Sequence, residues 1–169
     1  MKNPQAVPGK VLSFEELKLQ VHRWKFLNKK IVFTNGVFDI LHQGHIASLS
    51  EAAACGDILI VAVNSDASVK RLKGPQRPVN GQDARALILA SLVVTDAVII
   101  FDEDTPLHLI SEILPDVLVK GSDYSIEQIA GAKEVLANGG EVKLIDLVEG
   151  VSTTAIIDRI NQFGHPGKT

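Results

Sequence analysis

The sequence predicts an α/β protein in which a five-stranded, parallel, doubly wound sheet forms a single domain. Short apolar segments alternate with segments of helical periodicity, which is the pattern of a parallel sheet covered by helices on both faces. The length of 169 residues fits one domain. Residues 1–28 are predicted to form an N-terminal arm and helix, residues 29–163 the α/β domain, and residues 164–169 a C-terminal tail.

The first half of the chain is predicted to contain two helices and two strands. Ser13 and Glu16 have the spacing of a capping box, and the apolar residues that follow recur at helical intervals. Residues 30–34 predict a buried strand, residues 44–54 a helix, and residues 58–64 a second buried strand.

The second half continues the alternation and ends in a helix. Pro106 occupies a permitted first-turn position of one helix, and Pro115 ends that helix. Ser125 starts a helix that stops at residues 138–140, and Ser152 caps the last helix. The complete set after residue 64 is a helix that begins at Asn80 or Asp83, strand 96–101, helix 105–114, strand 116–120, helix 125–138, strand 141–147 and helix 152–163.

Composition and charge restrict the kinds of protein that this chain encodes. Hydrophobic residues make up 46% and charged residues 22%, which argues against a disordered protein. The net charge of −3 disfavours nucleic-acid binding, and the single cysteine, Cys55, excludes an internal disulfide. The longest apolar run, residues 58–63, is too short to cross a bilayer, which needs about 20 residues. The N-terminus also lacks an apolar leader, so we expect a cytoplasmic protein that binds neither nucleic acid nor membrane.

A segment rich in glycine and histidine, residues 34–45, links the first predicted strand to the next helix. Ligands of doubly wound sheets bind beyond the carboxyl ends of the strands, and a helix N-terminus favours anions. His42 and His45 are three positions apart, so both imidazoles can point into one pocket and donate hydrogen bonds to phosphate oxygens. The alternative is a pair of histidines that only cap or pack. A zinc site is disfavoured because the Glu of a His-Glu-x-x-His motif and a third ligand are missing.

Further polar segments follow later strands of the predicted sheet. Residues 64–66 form either an Asx-capped turn or a polar rim for an acceptor, and both interpretations stay open. Residues 70–73 with Arg77 form either a solvated basic face or a binding site for phosphate, which needs cationic neighbours. Residues 120–124 contain a glycine that permits close approach of the backbone to a ligand. Residues 150–154 contain a helix cap whose hydroxyl and N–H groups also suit phosphates.

Taken together, these segments resemble the HxGH family of nucleotidyltransferases, which includes cytidylyltransferases and adenylyltransferases. The string TNGVFDILHQGH at residues 34–45 is most similar to the adenylyltransferase branch that converts D-glycero-β-D-manno-heptose 1-phosphate to ADP-heptose for lipopolysaccharide core synthesis. The resemblance covers roughly residues 29–162 and includes the segments 63–66, 70–79, 103–106, 120–124 and 150–154. It implies a Rossmann-like nucleotidyltransferase fold and transfer of AMP from ATP to the sugar phosphate, with release of pyrophosphate.

The resemblance also implies site residues, a cofactor and an assembly. The expected catalytic residues are His42, His45 and Lys73, with Lys70 the next candidate for the phosphate-contacting lysine. The expected nucleotide-binding residues are Thr34, Asn35, Gly36, Phe38, Gly44, Lys120, Gly121, Asp123, Ser152, Thr153 and Thr154. The expected substrate-binding residues are Asp39, Asn64, Asp66, Lys70 and Arg85, although a surface ion pair is an equal alternative for Arg85. Mg²⁺ is expected to be held mainly by substrate phosphates and water, and a homodimer is plausible.

Three alternative functions were weighed against this one. The same chemistry with CTP, or with another sugar or polyol phosphate, is the nearest; Leu147 stands where some cytidylyltransferases carry an arginine, which disfavours a glycerol-phosphate cytidylyltransferase. A dinucleotide-dependent oxidoreductase is disfavoured because no Gly-x-Gly-x-x-Gly follows the first strand. A non-catalytic nucleotide sensor is disfavoured because both histidines and the Ser-Thr-Thr helix start are present.

Overall fold

Five parallel strands form one central sheet in the computed structural model, which describes residues 3–146, 148 and 150–164. The strands are β1 (Ile31–Gly36), β2 (Ile58–Asn64), β3 (Ala97–Phe101), β4 (Val117–Gly121) and β5 (Glu141–Ile145). Their order in the sheet is β3-β2-β1-β4-β5, so the direction of winding reverses between β1 and β4. The predicted fold class is confirmed.

Helices connect successive strands and cover both faces of the sheet. They are α1 (Phe14–Phe26), α2 (Gln43–Ala53), α3 (Asp66–Lys73), α4 (Gln82–Ala90), α5 (Leu107–Ile113), α6 (Ala132–Ala137) and α7 (Thr153–Gly164), with 3-10 turns at Pro8–Lys10 and Ile126–Gln128. The predicted capping box is present at α1, where the Ser13 N–H donates to Glu16 Oε2 at 2.8 Å. Within the described ranges, no helix combines the length and hydrophobicity needed to span a bilayer.

Two apolar cores lie on opposite faces of the sheet because alternate residues of each strand point in opposite directions. Ile31 and Phe33 of β1 belong to the core that α1, α5 and α6 cover. Val32, between them, belongs to the core that α2 and α4 cover. All three side chains are fully buried, which fixes the register of β1 and therefore the position of the residues that follow it.

The N-terminal arm is attached to the edge strand β3. Val11 forms a parallel bridge with Val98, and Lys10 Nζ donates to the carbonyl oxygen of Thr95 at 2.6 Å. Helix α1 then buries Leu17 and Val21 in the core, so the arm and the first helix pack onto the α/β domain.

The helices differ from the prediction in two places. Residues 66–73, expected to be mostly loop, form α3, whose N-terminus is capped by the Ser65 hydroxyl. The expected continuous helix from residue 125 is instead a 3-10 turn followed by α6, because Gly131 adopts a φ of +87° between them. Strand β5 ends at Ile145, whereas the prediction extended it to Leu147, which lies outside the described residues. The predicted tail also lies outside them from residue 165 onward.

Strands β1 and β4 diverge at the point where the strand order reverses. Strand β1 pairs with β2 along its full length, from Ile31 to Gly36. Its register with β4 pairs Val32 with Val117 and Phe33 with Leu118. Beyond Phe33 the two strands separate, which opens a cleft at the carboxyl edge of the sheet, as expected for a doubly wound fold.

Candidate active site

The cleft between β1 and β4 has a volume of about 600 Å³ and collects most of the sequence-predicted site residues. Those that line it are Thr34, Asn35, Gly36, Phe38, Asp39, His45, Asn64, Lys73, Lys120, Gly121, Asp123, Thr153 and Thr154. The predicted residues outside its lining are His42, Gly44, Asp66, Lys70, Arg85 and Ser152. For the residues of both groups, contact with a ligand remains a prediction.

His42 and His45 form a stacked pair at the start of α2. Their ring centroids lie 3.8 Å apart with an interplanar angle of 21°. His42 is the N-cap of α2, and its backbone N–H donates to His45 Nδ1 at 3.4 Å. Since Nδ1 of His45 accepts this bond, the proton of the neutral imidazole lies on Nε2. His45 therefore keeps one N–H donor for a ligand in the cleft.

Gly44 makes room for this stacked arrangement. A Cβ atom at residue 44 would lie 3.1 Å from both Cε1 and Nδ1 of His42, closer than a side chain tolerates comfortably. The Phe38 ring packs edge-to-face with the His45 ring, with the two centroids 5.3 Å apart. His42 Nδ1 is buried without a hydrogen-bond partner among the described residues, so it retains unused hydrogen-bonding capacity beside the cleft.

Burial keeps both imidazoles neutral. Desolvation, and then the adjacent His42, lower the pKa of His45 from 6.5 to about 4, and desolvation also lowers the pKa of His42. A neutral His45 is a hydrogen-bond donor rather than a cation at physiological pH. Phosphate oxygens beside it would favour the protonated form and raise its pKa.

The depressed pKa of His45 makes stability depend on pH. As pH falls from 6.5 toward about 4, the unfolded state binds a proton at His45 that the folded state does not bind. The free energy of unfolding is therefore unaffected by this group above pH 6.5 and decreases as pH falls through this range. We expect the melting temperature of the wild type to fall more steeply over this range than that of His45→Gln. Calorimetric scans at pH 7.5 and pH 4.5 measure the difference, and equal slopes would contradict the assigned neutral state.

Side chains bridge the gap between β1 and β4 where their backbones have separated. Thr34 Oγ1 donates to the Val119 carbonyl oxygen at 3.1 Å, and Lys120 Nζ donates to the Asn35 carbonyl oxygen at 3.4 Å. Asn35 Oδ1 is buried and has no hydrogen-bond partner among the described residues. The floor of the cleft thus combines a lysine donor with a free amide acceptor.

Lys120 is a half-buried cation at this floor. Burial lowers its pKa to about 8, and the nearby Asp123 carboxylate opposes the shift. Its ammonium lies 5.4 Å from the ring centroid of Tyr124, within cation–π range. An anionic ligand in the cleft would favour the charged form of Lys120 and raise its pKa.

Asp39 fixes the segment between α3 and α4 against the loop that follows β1. Its side chain is almost fully buried and accepts hydrogen bonds from Arg77 Nε at 2.6 Å, from the Val79 N–H at 2.7 Å and from the Asn80 N–H at 3.0 Å. Its backbone carbonyl accepts a further bond from Asn80 Nδ2 at 2.8 Å. Although Asp39 lines the cleft, these bonds engage both of its carboxylate oxygens.

Arg85 is a buried residue that connects two loops and the start of α3. Its side chain is fully buried, and its donors reach the Asn80 carbonyl at 2.9 Å, the Val37 carbonyl at 2.7 Å and Asp66 Oδ1 at 2.8 Å. The ion pair of the alternative interpretation is therefore present, but its Arg85 end is buried rather than at the surface. Arg85 and Asp66 lie outside the cleft lining, and their contact with substrate stays a prediction.

The remaining predicted residues occupy the rims of the cleft. Lys73 is exposed at the last turn of α3 and lines the cleft, whereas Lys70, one turn earlier, does not. At the start of α7, Thr153 and Thr154 line the cleft, and the Ser152 hydroxyl accepts a hydrogen bond from the Ala155 N–H at 3.1 Å. The cleft is therefore bordered by a lysine on one side and by a hydroxyl-rich helix start on the other.

The sequence did not single out several residues that line the cleft. They are chiefly Ser48 and Leu49 on α2, residues 128–130 after β4, and Ile145 at the end of β5. Residues 128–130 and Ile145 carried a usable signal, because every strand end of a doubly wound sheet faces the same edge.

The carboxylates of the cleft are scattered rather than clustered. Across the described ranges, no group of three or more His, Cys, Asp or Glu side chains is arranged to hold a metal ion. Asp39 and Asp104 are paired with Arg77 and Arg71, while Asp123 is exposed. This donor set fits Mg²⁺ only as an ion whose ligands come mostly from a bound phosphate chain and water.

Comparison with known proteins relates the chain to one family. The family model described as cytidylyltransferase-like matches residues 33–159. The chain is 57% identical over 152 residues to proteins named bifunctional protein HldE from Escherichia coli O139:H28 and Shigella boydii serotype 18. These matches cover 90% of this chain and 32% of each relative, so the chain spans about a third of the length of the curated relatives it matches.

Two solved structures share the fold. The lipopolysaccharide core biosynthesis protein from Thermoplasma volcanium GSS1 is 31% identical, with a TM-score of 0.57, and the match covers 71% of this chain and 97% of that protein. Pantoate-β-alanine ligase from Francisella tularensis is 14% identical, with a TM-score of 0.58 and coverage of 91% and 77%, which shows the fold alone. Because the family model spans most of the sheet and both histidines, the chain belongs to the cytidylyltransferase-like family of nucleotidyltransferases.

Proposed function

We propose that the chain transfers AMP from ATP to D-glycero-β-D-manno-heptose 1-phosphate and releases ADP-heptose and pyrophosphate. The observation that carries the proposal is the His42–His45 stack at the start of α2, which leaves a neutral N–H donor beside a cleft of about 600 Å³. The similarity of residues 34–45 to the heptose 1-phosphate adenylyltransferase branch supports this acceptor. The 31% identity to a lipopolysaccharide core biosynthesis protein supports it independently.

The reaction needs little covalent help from the protein. An oxygen of the sugar phosphate forms a bond to the α-phosphorus of ATP, the bond from that phosphorus to the bridging oxygen breaks, and pyrophosphate leaves with the electron pair. Because the attacking phosphate is already ionised, no strong general base is required. Catalysis then consists of positioning the reactants and stabilising the developing charge.

The chain offers a donor for each charged part of such a complex. In this proposal, His45 Nε2–H, with His42 beside it, stabilises charge on the α-phosphate. Lys73 and the start of α7 at Ser152–Thr154 are suited to the pyrophosphate, and Lys120 to the nucleotide on the β4 side. We propose Mg²⁺ as the cofactor, with Asp123 the available carboxylate; when bound, the ion neutralises phosphate charge.

We further propose that the protein acts in the cytoplasm as a homodimer. The resemblance to the heptose 1-phosphate adenylyltransferase branch motivates both the location and the assembly. Sedimentation of the purified chain measures the second point: a monomer at micromolar concentration would contradict it.

Transfer from CTP is the second candidate, because the matching family is described as cytidylyltransferase-like. Pyrophosphate release is measured with Mg²⁺, heptose 1-phosphate and either ATP or CTP, and reactions without acceptor serve as the control. We expect rapid release with ATP alone. Pyrophosphate release with CTP alone would support the same mechanism with CTP as the nucleotide substrate. No release with either nucleotide would contradict the proposed acceptor.

A further inference from the structure

Arg77 is a cleft residue whose guanidinium is only partly used by the protein. It lines the cleft, and its side chain is 20% exposed. Nε donates to Asp39 Oδ2 at 2.6 Å, whereas the structure records no hydrogen bond from Nη1 or Nη2 to any described residue. One edge of the guanidinium is therefore anchored, and the other retains its donors.

Asp39 holds this guanidinium in a fixed place relative to the histidine pair. The Asp39 carboxylate also accepts the Val79 and Asn80 N–H groups, so the segment that carries Arg77 cannot move without breaking buried bonds. Asp39 directly follows Phe38, whose ring contacts that of His45. Arg77 is thus connected to His45 through the Arg77–Asp39 hydrogen bond, the peptide bond between Asp39 and Phe38, and the Phe38–His45 ring contact.

Two sides of the cleft can be distinguished by the strands they follow, and Arg77, which comes after α3, lies on the side beyond β2 and β3. Beyond β4 the lining includes Tyr124, Ile129 and Ala130, which offer apolar surface for a flat base. Beyond β2 and β3 it includes Asn64 and the Asp104–Thr105 turn, which offer hydrogen bonds to hydroxyl groups. A polyhydroxylated sugar phosphate fits the second side, where Arg77 and Lys73 supply positive charge.

We propose that Arg77 binds the phosphate of the acceptor through Nη1 and Nη2 and that Asp39 is its positioning residue. The planar fork of arginine matches two phosphate oxygens, and anchoring at Nε reduces the side-chain entropy that binding costs. Asp39 then acts on the substrate only through Arg77. This assignment rests on the proposed function, since it takes the acceptor to be a sugar phosphate.

The first test separates acceptor binding from ATP binding. Pyrophosphate release is measured for the wild type, Arg77→Gln, Arg77→Lys and the control Arg23→Gln, an equivalent change on the exposed part of α1. Arg77→Gln is expected to raise the KM for heptose 1-phosphate by about 10- to 100-fold and to leave the KM for ATP within about twofold. Should both KM values rise together, or neither change, Arg77 is not the acceptor-phosphate residue.

Arg77→Lys is the control for the possibility that Arg77→Gln fails to fold. Lysine keeps a positive charge facing Asp39 but lacks the fork, so this variant should fold and still show a raised KM for the acceptor. An acceptor KM equal to that of the wild type in a folded Arg77→Lys protein would show that the fork is not used.

A second measurement distinguishes failure of this assignment from failure of the proposed function. Inorganic phosphate is titrated calorimetrically into the wild type, Arg77→Gln and Arg23→Gln, each with α,β-methylene-ATP bound. If heptose 1-phosphate gives no turnover, this titration decides alone. If phosphate binding weakens at least tenfold in Arg77→Gln but not in Arg23→Gln, the assignment of Arg77 is supported. If phosphate binds equally to all three proteins, or to none of them, the assignment is overturned.

Discussion

His45→Ala is expected to lower kcat by about 100- to 1000-fold, the usual cost of removing one donor that stabilises developing charge. The substitution removes the Nε2–H donor that the His42 backbone N–H fixes by bonding to Nδ1. The other contacts proposed for ATP along the cleft are unaffected by this substitution, so the dissociation constant for ATP should change by no more than about threefold. Steady-state kinetics and equilibrium titration with ATP measure the two quantities separately.

Two further variants make this result specific. His22→Ala is the matched control, because His22 is exposed on α1 far from the cleft, and it should retain full turnover. His45→Gln keeps an N–H donor without an imidazole, so partial recovery of kcat relative to His45→Ala is expected. A kcat of His45→Ala within a fewfold of the wild-type value would show that His45 does not stabilise the transition state.

Arg85→Met is expected to produce the largest loss of stability among the substitutions considered. Methionine fills much of the space but leaves the Val37 and Asn80 carbonyls without their donor and Asp66 without its ion pair. Losing one partner of a buried, hydrogen-bonded charge typically costs about 3–5 kcal/mol, and the partial exposure of Asp66 reduces this to about 2–4 kcal/mol.

Thermal and urea unfolding measure this loss. For a domain of this size, about 2–4 kcal/mol lowers the melting temperature by roughly 5–15 °C. Arg23→Met, on the exposed surface of α1, should unfold like the wild type. A free energy of unfolding for Arg85→Met within about 0.5 kcal/mol of the wild type would show that the fold does not depend on the hydrogen bonds of Arg85.

Strands β1 to β4 were predictable because each contains a continuous apolar run that the sheet buries, whereas the edge strand β5 contains Glu141 and Lys143 and is partly exposed. Residues 58–64 illustrate this: all but Ile58 are buried in β2. Helix α3 escaped prediction because it is only 8 residues long and buries only Ser68 and Val69, so it has too few apolar residues to show a helical repeat in the sequence. Its cap at Ser65 was the local signal that was available.

The phosphate-suited loop was predictable from spacing, whereas the supporting network was not. Two histidines three positions apart at a helix start lie close together by local geometry alone, and the structure stacks them. Arg85 meets Asp66 and Arg77 meets Asp39 only after the chain has folded, across separations of 19 and 38 residues. Sequence spacing gives no sign of such pairs, so Arg85 was assigned to substrate and Arg77 to a basic cluster.

The proposed reaction requires that a sugar phosphate attack the α-phosphorus of ATP in this cleft. Isotope tracing with heptose 1-phosphate whose terminal phosphoryl oxygens carry ¹⁸O tests it most directly, with mass spectrometry of both products. We predict that all of the label appears in ADP-heptose and that the pyrophosphate is unlabelled. Label in the pyrophosphate, or release of ADP with a doubly phosphorylated sugar, would place the attack elsewhere and contradict the account.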